Sequence, residues 1–180
     1  VGAVCGIAAD IVSCLCSANP AVNPLISVGA MTVGAAAGIS ARYVIKKHGR
    51  AQYALCVCYA RGYGTTPSPF RAGAWLKSAA EGGCADAQFQ MGVRSENGDG
   101  EEKDVQKAYE WYQKAFDQKH GPAAKAIGRL FEFGLLGGEA DVGAAYEWYG
   151  FAIQYGDESA KEDRIRAEGK LDREFSKEPG

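Results

Sequence analysis

Only two histidines, His48 and His120, stand beside six cysteines in a chain of 180 residues. A nucleophilic serine or cysteine needs a base at hydrogen-bond distance, most often histidine, so there are few ways to assemble one here. The even cysteine count (Cys5, Cys14, Cys16, Cys56, Cys58 and Cys84) permits disulfides in an oxidising compartment. Cys14-x-Cys16 and Cys56-x-Cys58 lack the two-residue gap of a zinc knuckle, and on a helix residues two apart point away from each other. Buried free thiols are the expectation, with thiol chemistry at Cys56 or Cys58 as the weaker alternative. Gly62-Tyr-Gly64 and Gly98-Asp-Gly100 look like phosphate-loop fragments, but neither follows a strand pattern, so they read as turns. Glu101, Glu102 and Asp104 lack the twelve-residue oxygen spacing of a calcium loop. No catalytic residue, metal or cofactor is expected. A net charge of −2 and a pI near 5.8 argue against nucleic acid as a partner.

The elements that carry these residues are set by a repeat. Trp75, Trp111 and Trp148 lie 36 and 37 residues apart. Ala72-x-x-Trp75-Leu76-x-x-Ala79, Ala108-x-x-Trp111-Tyr112-x-x-Ala115 and Ala145-x-x-Trp148-Tyr149-x-x-Ala152 superpose. Upstream, Gln52 parallels Gln88, while Gly62, Gly98 and Gly134 close each first half. Each period therefore reads as two helices, with glycine supplying the left-handed residue just past the first. Alanines at the a/d-like stripe permit close approach, and each tryptophan is expected in a largely buried place between hairpins. One hairpin cannot bury its stripe alone, so stacking is required.

Ala85-x-Ala87-Gln88, Asn97-Gly98-x-Gly100, Lys103-Asp104 and Lys107-Ala108-x-x-Trp111-Tyr112-x-x-Ala115 together resemble the Sel-one-like repeat, a relative of the tetratricopeptide repeat. The resemblance covers about residues 50–157. The first copy departs with Cys56 in place of glycine and Thr65-Thr66-Pro67-Ser68-Pro69 in its loop, and the third lacks the lysine before Asp141. The resemblance implies an all-α, right-handed solenoid of three helical hairpins whose concave surface grips other proteins, and not an enzyme. It implies that first helices line that surface, making Tyr53, Arg61, Phe89 and Arg94 the protein-binding candidates. His120 falls at a repeat junction, where it reads as a group suited to a helix C-terminus. Secreted cysteine-rich relatives place a cysteine pair in each hairpin, a pattern absent here.

The ends differ from the repeats. Residues 1–50 carry a net charge of +3 and residues 51–180 a net of −5. The chain opens on Val1, which reads as a processed product or a fragment. Residues 25–41 are uncharged; continued to Ile45 they make roughly 31 Å of helix, enough to cross a bilayer. Ala30, Gly34 and Gly38 form a ladder that lets another helix pack closely. Lys46, Lys47, His48 and Arg50 follow, placing the repeats on the positive, cytoplasm-, matrix- or stroma-like side. The competing reading is a buried helix, because alanine and glycine are weakly apolar and Lys47–Ala51 resembles a repeat end. Residues 158–180 hold seven acids and six bases around Ala160, Ala167, Leu171 and Phe175, the pattern of a capping helix with one wet face.

The chain thus divides into 1–48, an apolar anchor or packing segment; 49–157, three repeats; and 158–180, a charged cap or tail. The expected function is a non-enzymatic protein-interaction scaffold, an accessory subunit of a membrane-bound assembly that contacts other proteins, and lipid through residues 25–45. The alternative is a soluble or secreted adaptor whose N-terminal helices cap its own solenoid.

Overall fold

A computed structural model describes residues 48–100 and 102–175, and among them there are seven helices and no strand. In chain order these are α1 (Gly49–Arg61), α2 (Pro69–Glu81), α3 (Ala85–Asn97), α4 (Val105–Phe116), α5 (Gly121–Glu132), α6 (Val142–Gln154) and α7 (Ala160–Phe175). The first helices of the three periods begin at Gly49, Ala85 and Gly121, each 36 residues after the last. Residues 25–45, with Ala30, Gly34 and Gly38, lie outside the described residues. No described helix is long and apolar enough to cross a membrane.

The described residues form two compact units divided after Ala87. The same local chemistry builds the hairpins in both. Gly62, Gly98 and Gly134 take positive φ of 75°, 81° and 60° just past the first helix, the backbone region that side chains resist. The second helix then starts on a capping oxygen: Ser68 accepts from the Arg71 N–H, Asp104 from Lys107 and Asp141 from Ala144. Each cap residue also donates its own N–H back to the end of the preceding helix. Ser68 bonds the Tyr59 carbonyl, Asp104 that of Ser95 and Asp141 that of Phe131, at 2.8–2.9 Å. Side chain and backbone of one residue therefore fix where the second helix begins and which way it runs.

Close helix approach follows from small residues set against large ones. A Cβ placed on Gly92 would overlap the Tyr112 ring, and one on Gly128 would lie 2.9 Å from Tyr149. Tyr112 and Tyr149 are among the largest fully buried side chains, with Ile127 and Leu130. The first period carries Cys56 at the glycine position and Leu76 at the tyrosine position, both buried. A shorter side chain on the second helix leaves room for one on the first, so the departure at Cys56 is matched by one at Leu76.

The tryptophans correct one expectation: all three are half-buried, and the deeply buried member of each pair is the next residue, Leu76, Tyr112 or Tyr149. Consecutive helical residues point about 100° apart, so only one of two adjacent side chains can face the companion helix. Trp148 instead joins an aromatic shelf, with ring centroids 4.7 Å from Phe116, 5.8 Å from Phe151 and 6.4 Å from Phe131. The Lys114 ammonium sits 4.1 Å over the Trp111 ring. His120 also differs from its reading as a C-terminal group. It is the N-cap of α5, where its Nδ1 accepts the Ala123 N–H, and its ring lies 5.2 Å from Phe89. Cys56 and Cys84 are buried free thiols, as expected, whereas Cys58 departs from that expectation and is disulfide-bonded. On α7, Ala160 and Ala167 are fully buried in the cluster that includes Ala145 and Tyr149 of α6, with Leu171 packed against it.

Candidate protein-binding surface

The polar chemistry of residues 88–175 is organised by a motif that recurs with the repeat. Tyr112 of α4 donates its hydroxyl to Glu96 at the end of α3, at 2.8 Å. Arg129 of α5 closes on the same carboxylate, its Nη2 lying 2.7 and 2.6 Å from the two oxygens. One period later, Tyr149 donates to Glu132 at 2.6 Å. Arg166 of α7 then supplies Nε at 3.0 Å and Nη2 at 2.8 Å, and the Lys170 ammonium adds a bond at 2.8 Å. Each carboxylate thus joins its own hairpin partner to the first helix of the next hairpin. The first period has Ala60, Leu76 and Val93 at the corresponding positions, so the whole set is absent there together.

These contacts set the proton affinities. The Arg166 hydrogen bonds hold the Glu132 carboxyl at about 2 against an ordinary 4.5, with Lys170 and Tyr149 adding to the effect; burial opposes it and loses. Three donors on a carboxylate explain that outcome, because each stabilises only the ionised form. Burial, reinforced by the bonded carboxylate, pushes the Tyr112 and Tyr149 phenols well above their usual value. Arg166 is pushed up in turn by Glu132 and Asp163. A strongly shifted carboxylate is often a sign of catalysis, but here every shift is accounted for by a tie between helices.

The four residues expected from the sequence do not behave alike. Arg61, the last residue of α1, is exposed, and Tyr53 on the same helix is half-buried. Burial raises the Tyr53 phenol, with the Asp86 carboxylate contributing. Phe89 is drawn into the edge of the core, its ring 5.7 Å from Tyr112. Arg94 is half-buried and donates Nε to the Asp99 carbonyl at 3.1 Å, bracing the turn after α3. Five positions apart on a helix, Phe89 and Arg94 point roughly 140° from each other and do not form a pair. The side chains that sequence reading missed are Arg129, Phe133, Arg166 and Lys170. Arg129 and Arg166 repeat at 37 residues, as do Tyr112 and Tyr149, and that was the available signal.

An open groove of about 580 Å3 lies between the start of α4 and the loop after α5, lined by Glu102–Lys107 and Leu135–Gly137. Gln106 crosses it to bond the Leu136 carbonyl at 2.8 Å. Among the described residues, no group of three His, Cys, Asp or Glu side chains is placed to hold a metal ion.

The Sel1 repeat model matches three times in succession, at residues 49–84, 85–120 and 121–167. The chain belongs to the Sel1 repeat family. Among solved structures it resembles a Sel1 repeat protein from Oxalobacter formigenes, at 32% identity and a TM-score of 0.61 over 66% of this chain and 48% of that one. It also resembles c5321, described as a protective antigen of uropathogenic Escherichia coli strains displaying an SLR fold, at 27% identity and a TM-score of 0.61 over 68% of this chain and 26% of that one. The chain spans about half the length of the first and a quarter of the second. A comparison with curated proteins finds no match. The fold class is the helical-hairpin solenoid of these Sel1 structures, and Sel1 repeats generally mediate contact between proteins.

Proposed function

We propose that this Sel1 repeat chain is a non-enzymatic scaffold within a membrane-associated assembly, presenting its first helices to partner proteins while residues 25–45 hold it at the membrane. The observation that carries the scaffold reading is the use made of the perturbed groups. Glu96, Tyr112, Glu132 and Tyr149 are spent on holding helices together. What remains for a ligand is surface. Exposed and half-exposed side chains of the first helices, Tyr53 and Arg61 among them, have the size and charge that partner contacts use. The membrane part rests on the uncharged run of residues 25–41 and the basic cluster after it, which place the repeats on the positive side.

Cross-linking of the full chain in its native membranes, followed by mass-spectrometric mapping, tests the reading. Cross-links from α1, α3 or α5 to other proteins are expected. Cross-links confined to α2, α4 and α6 would contradict the choice of surface, and turnover of a small substrate by the pure chain would contradict the non-enzymatic role.

A further inference from the structure

The two carboxylates of the repeated motif are sunk beneath the cations that bind them. The Glu96 side chain is 12% exposed and Glu132 0%, whereas Arg129 is 48%, Arg166 46% and Lys170 37% exposed. An approaching molecule therefore meets the cations first. Arg166 is saturated from within, since Nε and Nη2 serve Glu132 and Nη1 pairs with Asp163 at 2.7 Å. Arg129 is not: only its Nη2 is engaged, and among the described residues its Nε and Nη1 carry no hydrogen bond. The carboxylate behind it fixes the guanidinium, so much of the rotamer entropy of placing it is spent before anything binds.

An apolar side chain stands beside this charge. Phe133 follows Arg129 by four residues, which puts the two on one side of the helix end. Phe133 is 55% exposed, and the Lys170 ammonium lies 5.4 Å from its ring. A soluble surface gains nothing from an open phenylalanine, whereas an arginine next to an aromatic is the composition that dominates protein interfaces.

Resting on the scaffold reading, we infer that Arg129, Phe133, Arg166 and Lys170 form a docking patch for an acidic segment of a partner protein, one that brings a carboxylate to Arg129 and an apolar side chain to Phe133. The choice of an acidic occupant follows from charge complementarity: the solvent-facing groups are cations, and the free edge of Arg129 is a donor fork suited to a carboxylate. The patch belongs to the unit that carries the repeated motif, because Ala60, Leu76 and Val93 leave the first period without its framework.

The test uses the full chain and a fluorescein-labelled peptide of repeated Glu-Glu-Leu, with a Lys-Lys-Leu peptide as control, followed by fluorescence anisotropy. Saturable binding of the glutamate peptide is expected, weakening as salt rises. Phe133→Ala should weaken it about tenfold. Arg129→Gln should weaken it and flatten the salt dependence. Phe133 is an exposed residue, so its variant should keep the parent's helical circular dichroism. The patch is overturned if the glutamate peptide fails to bind, if the lysine peptide binds equally, or if both variants bind like the parent. A chain that cross-links to partners through its first helices yet ignores the glutamate peptide overturns this patch and leaves the scaffold reading standing.

Discussion

At the scale of single residues, two kinds of site decide how these hairpins hold. The first is steric. Gly92 and Gly128 face tyrosine rings with no room for a methyl group, so Gly92→Ala should destabilise the chain by about 1–3 kcal/mol, the usual cost of overpacking a filled core. Chemical denaturation measures it, and a neutral result would mean that the Tyr112 ring can shift freely. The second kind is electrostatic. Glu132 has a folded pKa depressed to about 2 from 4.5, so its contribution is present above pH 4.5 and lost as pH falls through about 2. The shift corresponds to a stabilisation on the order of 3 kcal/mol. Glu132→Gln should remove that part of the acid limb in thermal unfolding followed between pH 5 and about 2; an unchanged limb would assign the acid sensitivity to other groups.

At the scale of elements, each hairpin depends on the residue that starts its second helix. Asp104 and Asp141 accept N–H groups at 2.9 and 2.8 Å, and Ser68 does so at 3.5 Å. Asp104→Ala should cost about 0.5–2 kcal/mol. Ser68→Asp should raise stability, because it puts a charge at a helix N-terminus whose present cap is the longest of the three. Thermal melts of the two variants give the signs, and a destabilised Ser68→Asp would contradict the equivalence of the caps.

Much of this level was legible in the residues. The 36-residue spacing, the alanine stripes and Gly62, Gly98 and Gly134 predict helical hairpins because helix period and left-handed glycine turns are local properties. Local pattern could not say whether Trp111 or Tyr112 faces the companion helix, since both lie on the same broad stripe. It placed His120 at the wrong end of a helix, because a junction residue both follows one helix and caps the next. The Glu96–Tyr112–Arg129 set escaped notice because its members sit 16 and 17 residues apart and meet only through packing. Phe89 and Arg94 were chosen as a pair by composition, and helix geometry separates them.

At the scale of the whole molecule, the central claim is that the repeats are a self-sufficient scaffold and residues 1–45 attach it to a membrane. The repeats contain their own caps, buried tyrosines and inter-helix ion pairs within residues 48–175. The most direct measurement is deletion of residues 1–45, with membrane co-sedimentation and circular dichroism recorded on the same preparation. The expected result is a folded, monomeric, helical domain that no longer sediments with membranes, while the full chain does. If the truncated chain instead loses its helices, residues 1–45 belong to the core of the solenoid, and the account of a tethered scaffold is contradicted.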